Sequence, residues 1–240
     1  METGIYVALS GQIAAQRRLE TIAHNVANAS TPGFRAEEVS FTSLVSQTSD
    51  GPVAFSSMGE SYLSLQTGPI VQTNNPLDVA VSGDAYLALQ TPEGLIYTRD
   101  GRLKVTPNGE LQSITGYPVA DRAGATILLN ARGGTVQIDK NGTITQDNIV
   151  RGAIGLYTIE EGAKLERRDN SGFASEIPGN PVTDFSKMSL RQGFIEQSNV
   201  NSMMELSRLI QISRSFDAVA NAVDQSERSL KEAIRALGGS

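Results

Sequence analysis

From Ser202 to Leu237 the chain carries one unbroken helical pattern, and that pattern limits the fold more than any other feature. Leu206, Leu209, Ser213, Phe216, Ala220 and Val223 step by three and four, Leu230 follows seven residues on, and Gly238-Gly239 ends the run. At the usual helical rise, about 36 residues make a cylinder of roughly 54 Å. Ser202-Met203-Met204-Glu205 has the form of a capping box at its start. A helix so long, with an apolar stripe down one side, needs another surface to cover that stripe.

The first residues supply a candidate. Ala8, Gln12, Ala15, Leu19, Ile22 and Val26 fall on one stripe of a second helix, widened by Leu9, Ala23 and Ala27. Pro32 disfavours helical backbone at Thr31 and Gly33 follows, so this helix is expected to stop near Ala29. Its other side carries Arg17, Thr21, His24 and Asn28, with Asn25 on the flank. Asparagine is a poor helix former, so two of them in the last turns ask for a reason beyond solubility.

Between the helices the period falls to two. Asp100-Gly101, Asn108-Gly109 and Asn141-Gly142 suit tight hairpin turns, and Leu103-x-Val105 before Leu111 is echoed by Val136-x-Ile138 before Ile144. Further strands are expected at 77–81, 86–90, 96–99, 126–129 and 152–158. The reading is an α+β chain: an N-terminal helix over 1–30, an extended, partly stranded connector over 31–75, a central antiparallel all-β domain over 76–185, and a C-terminal segment with the long helix over 186–240. The two helices are expected to pair as a coiled coil. The first is the shorter, so part of the longer seam would be left for another chain.

Chemistry is hard to place on this chain. It has no cysteine, which excludes disulfides, thiolate metal sites and thiol nucleophiles. The one histidine, His24, has no carboxylate or serine at a catalytic spacing. Asp139-x-Asn141-x-Thr143 departs from a calcium loop, with glycine at the fourth position and Val150 at the twelfth. There is no phosphate loop and no nucleophile elbow. No enzyme activity, metal or cofactor is expected. A net charge of −6 gives no basic field for nucleic acid, and no run nears the roughly 18 apolar residues of a membrane span. METGIYVALSGQ lacks the features of a cleaved secretory signal.

Four ordered motifs carry a resemblance. Ala23-His24-Asn25-Val26-Ala27-Asn28 with Thr31-Pro32-Gly33-Phe34, then Asn75 through Asp84, then Tyr97-Thr98-Arg99-Asp100-Gly101 with Asn108-Gly109-Glu110-Leu111, and then Gly193 through Asn201 together resemble the bacterial flagellar basal-body rod and hook proteins. His24 stands where asparagine is commoner, and Ala85 where a glycine usually follows. The short length and the Thr-Pro-Gly-Phe turn point within the family to a proximal rod subunit.

The resemblance implies a structural subunit that polymerises through its terminal helices into a torque-transmitting drive shaft at the periplasm-spanning basal body. Its partners would be further copies, other rod subunits and the flagellar export apparatus, with export uncut. Expected at subunit interfaces are Leu19, Ile22, Asn25, Val26, Asn28, Pro32, Gly33 and Phe34 from the N-terminal part. From the C-terminal part come Asn199, Asn201, Leu206, Leu209, Phe216, Val223 and Leu230. Asn25 and Asn28 would bridge subunits, Pro32-Gly33 would set the exit angle of the chain, and Phe34 would anchor it. A different class stays open on the residues alone: a soluble binding module whose intramolecular helical stalk presents a ligand-binding β domain.

Overall fold

The computed structural model describes residues 2–48, 51–57, 59–169 and 171–238, and the chain divides into two compact units. Unit one is Met1–Ala27, Glu37–Tyr62 and Asn201–Ser240; unit two is Asn28–Ala36 and Leu63–Val200.

Unit one holds both helices, α1 (Glu2–Ala27) and α2 (Ser202–Gly238), with β1 (Glu37–Ser40), β2 (Ser43–Thr48), β3 (Gly51–Ser56) and β4 (Glu60–Leu63). β2 and β3 form an antiparallel hairpin from Ser43 opposite Ser56 to Thr48 opposite Gly51, and β1 pairs with β4. The α2 start differs from the capping box read in the sequence. Asn201 is the cap: its Oδ1 accepts from the Met204 amide at 3.1 Å and its carbonyl from the Glu205 amide at 2.9 Å.

The expected coiled coil needs correction. The α+β mixture is present, but a two-helix coiled-coil pairing is not. A knobs-into-holes seam buries the residues that alternate at three and four, yet among the described side chains α2 buries no hydrophobic residue, and α1 buries only Ala14 and Ile22. Leu209, Phe216 and Val223 are half-buried and Leu206 is exposed; the Leu230 side chain lies outside the described residues. The physical reason is that α1 is shared between neighbours: it lies against β1 and β3 as well as against α2.

Among the described residues the regular elements of unit two are all strands. It runs β5 (Ile70–Gln72), β6 (Val79–Ser82), β7 (Tyr86–Thr91), β8 (Gly94–Thr98), β9 (Leu103–Val105), β10 (Leu111–Ser113), β11 (Val136–Ile138), β12 (Thr143–Gln146) and β13 (Ile149–Ala153). β14 (Leu156–Thr158), β15 (Leu165–Arg168), β16 (Gly172–Ser175), β17 (Asn180–Pro181), β18 (Ser189–Gln192) and β19 (Phe194–Glu196) complete it. The main sheet has the order β15-β16-β8-β7-β14-β17, β11-β12-β13 form a second, and β9-β10, β6-β18 and β5-β19 are pairs.

Two apolar clusters share β7. Leu87 and Leu89 point into one with Val79, Val81, Leu111, Ile144, Ile154, Leu156 and Leu190. Tyr86 and Ala88, on the other face of the same strand, join Tyr97, Tyr157 and Phe173 in the second. A strand covered on both faces reads as a continuous apolar run, which Tyr-Leu-Ala-Leu is. Tyr86 and Phe173 meet edge to face at 5.0 Å.

The turns depart from the sequence reading. Left-handed backbone occurs at Gly109 and Gly142, but neither Asn108 nor Asn141 is among the positive-φ residues, so these are not the two-residue turns expected. The turn with two positive φ angles is Asp147-Asn148, at 54° and 59°, between Gln146 of β12 and its partner Ile149 of β13. Asp100-Gly101 makes no hairpin: β8 pairs with β7 and β16, and β9 with β10. Residues 126–129 make isolated bridges, not a strand.

Candidate assembly site

The last turns of α1 show why amides sit there. Asn25 is buried, its Nδ2 donates to the Glu37 carbonyl at 2.8 Å, and its Oδ1 accepts from the Glu37 amide at 2.9 Å. The side chain therefore works within unit one, tying α1 to β1. Ile22 beside it is also buried, while Leu19 and Val26 are half-buried. A cleft of about 370 Å³ opens here, lined among others by Ile22, Asn25, Glu37, Glu205, Arg208 and Ile212. Glu205 is buried and pairs with Arg208 at 2.6 Å.

The segment after α1 folds onto unit two. Half-buried Asn28 accepts the Thr31 amide on its carbonyl at 3.0 Å and the Thr31 hydroxyl on its Oδ1 at 3.2 Å. Pro32, Gly33 and Phe34 are buried. Gly33 has φ +69°, and a Cβ on it would lie 2.1 Å from the Asp100 amide nitrogen, so both backbone shape and space require glycine. The Arg167 guanidinium stacks 4.4 Å above the Phe34 ring.

Asn199 sits where several passages of the chain meet. Its Oδ1 accepts from the Ala36 amide at 2.7 Å, its Nδ2 donates to the Gln66 carbonyl at 2.9 Å, and its own amide donates to the Phe34 carbonyl at 3.3 Å.

The sequence reading assigned no role to the charged residues of this region. Arg35, Arg99 and Glu196 form a buried group, with Glu196 Oε1 2.9 Å from Arg35 Nη2 and Oε2 3.1 Å from Arg99 Nη1. Burial pulls the Arg35 guanidinium below its usual pKa and neighbouring Arg99 adds to that, against Glu196, which raises it. Burial likewise pushes the Tyr86 hydroxyl up, and the Arg99 guanidinium lies 4.8 Å from the centre of that ring. No spacing in the sequence brings these three charges together, since each lies in a different segment of the chain.

α2 carries a second apolar stripe that no sequence argument separated from the first. Met203, Leu206 and Ile210 are 77%, 44% and 53% exposed and fall about a third of a turn from the half-buried line of Leu209, Ile212, Phe216 and Val223. On α1, Leu9 and Ile13 are exposed at 48% and 44%. So the expected interface residues fall into three places. Ile22, Asn25, Pro32, Gly33 and Phe34 are buried inside the chain. Leu19, Val26, Asn28, Asn199, Leu209, Phe216 and Val223 are partly covered, and Asn201 and Leu206 are exposed.

Known proteins match along the whole length. The family of flagella basal body rod proteins matches residues 5–35, the D1 domain of flagellar hook proteins FlgE/F/G matches 80–146, and the C-terminal region of basal body rod FlgEFG proteins matches 191–236. Each match contains one member of the buried group: Arg35, Arg99 and Glu196 in turn. The flagellar basal-body rod protein FlgF of Mesorhizobium japonicum is 46% identical over 99% of both chains, and that of Rhizobium meliloti 44% identical over the full length of both. The basal-body rod protein FlgG of Bacillus subtilis is 30% identical over 98% of each chain. On this full-length similarity the chain belongs to the flagellar basal-body rod proteins, with FlgF proteins among its relatives.

Proposed function

We propose that the chain is a structural subunit of the flagellar basal-body rod, polymerising through its terminal helices into a shaft that transmits torque. The observation that carries the reading, beside the full-length relatives, is the stripe of Met203, Leu206 and Ile210 left uncovered on α2. Three large apolar side chains in line on one helix are what a further chain would cover. Leu9 and Ile13 offer a second such patch on α1. A surface that meets a different surface on the next copy builds an open helical array wherever the rotation between copies does not close into a ring.

The partners in this reading are further copies and other rod subunits, met through Leu206, Leu209, Phe216, Val223 and Leu230 of α2, Leu19 and Val26 of α1, and the polar Asn28 and Asn201. The buried Ile22, Asn25, Pro32, Gly33 and Phe34, with the half-buried Asn199, act one step back, by holding the segments that reach the interface. The chain would reach its place through the flagellar export apparatus, uncut. Catalysis and cofactors have no part in the reading. Among the described residues no cluster of three or more His, Cys, Asp or Glu could hold a metal, and no helix is long and apolar enough to cross a membrane.

The test replaces Met203, Leu206 and Ile210 together by serine in a motile strain that depends on this chain. The purified variant is expected to keep its circular dichroism spectrum and melting temperature, because the three side chains are exposed. Swimming and the yield of hook-basal bodies are expected to fall sharply. Normal swimming with normal basal bodies would take the stripe out of the assembly.

A further inference from the structure

Three segments far apart in sequence meet in unit two through charge held away from water. Arg35 comes from the turn after α1, Arg99 from the residue after β8, and Glu196 from the end of β19; their side chains are 1–2% exposed. One carboxylate serves both guanidinium groups and, through Oε1, also accepts from the Gly68 amide at 2.9 Å. The other hydrogen bonds of the two arginines go to neutral carbonyls: Arg99 Nη1 to Val81 at 3.1 Å, Arg99 Nη2 to Gly83 at 2.5 Å, and Arg35 Nη1 to Gln66.

We infer that Glu196 is a latch that closes unit two last. Two guanidinium groups without a carboxylate are far costlier to bury than the same groups paired, so neither Arg35 nor Arg99 can leave water until Glu196 arrives. Its contact with Arg99 spans 97 positions, and that with Arg35 spans more. By contrast β7 and β8 pair across a short turn, with Thr91 opposite Gly94. Local pairings of that kind form before contacts that close long loops. The β7-β8 core can therefore form with the latch open, while the turn carrying Pro32-Gly33-Phe34 waits.

The backbone around the carboxylate follows the same order. The Gly33 amide donates to the Glu196 carbonyl at 2.8 Å, the Gln197 amide to the Pro69 carbonyl at 2.9 Å, and the Ala36 amide to Asn199 Oδ1. All of these bonds need the segment around residue 196 in place. Where the chain arrives unfolded, as the export reading requires, the turn after α1 stays open until residue 196 is free to dock. That consequence rests on the export reading; the latch itself does not.

The experiment is refolding of the full purified chain from denaturant with pulsed amide hydrogen exchange, resolved by fragment mass. Amides of Leu87, Leu89 and Ile96 are expected to gain protection first. Those of Gly33, Ala36, Gly68 and Gln197 should follow together at least tenfold more slowly. In Glu196→Gln the first step is expected unchanged and the second slowed a further tenfold or lost, while Glu196→Asp, with charge kept and reach shortened, falls between. Protection of both sets in one step overturns the latch, as does a second step that ignores Glu196→Gln. Loss of the first step in Glu196→Gln overturns it too, since the carboxylate would then belong to the first-formed core. No outcome depends on assembly or swimming, so failure here is distinct from failure of the rod reading.

Discussion

Asn25 of α1 and Glu37 of β1 exchange two hydrogen bonds, at 2.8 and 2.9 Å, as two paired strand residues would. The amide side chain stands in for a peptide unit, because it donates and accepts at once; lysine can only donate and a carboxylate can only accept. Asn25→Ala leaves the Glu37 amide and carbonyl without this partner and is expected to cost about 1–3 kcal/mol. A fall in the urea midpoint of the helical signal would register it. Asn25→Asp keeps the acceptor, loses the donor and buries charge, so it should fare no better.

Gly33→Ala is expected to be among the most damaging single changes in the chain. The new methyl would meet the Asp100 amide nitrogen at 2.1 Å with the backbone already at φ +69°, and a clash with backbone has no flexible side chain to give way. A loss above about 3 kcal/mol follows, read as a collapse of the melting temperature or as insoluble protein. Pro32→Ala, which adds no heavy atom, should be far milder.

Phe34 is fully buried under the Arg167 guanidinium. Phe34→Ala removes a large core side chain and its cation contact, with an expected cost of about 3–5 kcal/mol. Phe34→Leu keeps most of the volume and should cost well under half of that in chemical denaturation.

Alkaline pH should weaken unit two through Tyr86, whose hydroxyl is pushed up by burial. The folded chain then holds this proton more tightly than the unfolded chain, so stability falls as pH rises above the ordinary tyrosine value of about 10. Below that value the contribution is constant. Urea midpoints between pH 8.5 and 11 should decline in the native chain and decline less in Tyr86→Phe.

The elements at the two ends were legible because their causes are local. Stepped apolar residues gave α2, and Pro32-Gly33 stopped α1 within two residues of the expected Ala29. β7 and β8 were expected at 86–90 and 96–99 from short apolar runs, and the β9-β10 pair was readable from period two. What the helix pattern could not carry was the identity of the covering surface: β1 and β3 share α1 with α2, and nothing in the α1 stripe separates a strand neighbour from a helix neighbour. The Asp147-Asn148 turn was missed because its left-handed residues are both non-glycine, whereas the Asn-Gly pairs drew attention by composition. The Arg35-Glu196-Arg99 group was invisible for another reason. Its members attract one another only after folding, and no spacing in sequence announces a contact across 97 positions or more.

Asn199 has a consequence for how such a chain can change. The chain passes between the two units four times, and at three of those passages the flanking residues, Ala36, Ser64 and Asn199, are bound together: the Ser64 amide donates to the Ala36 carbonyl at 2.8 Å and Asn199 bonds to both residues. The long segment of unit two, Leu63–Val200, thus begins and ends at one fastening point, like a bag gathered by a drawstring. Strands and loops beyond that point can lengthen, shorten or be exchanged without shifting where the chain crosses, so long as the gathered residues keep their places.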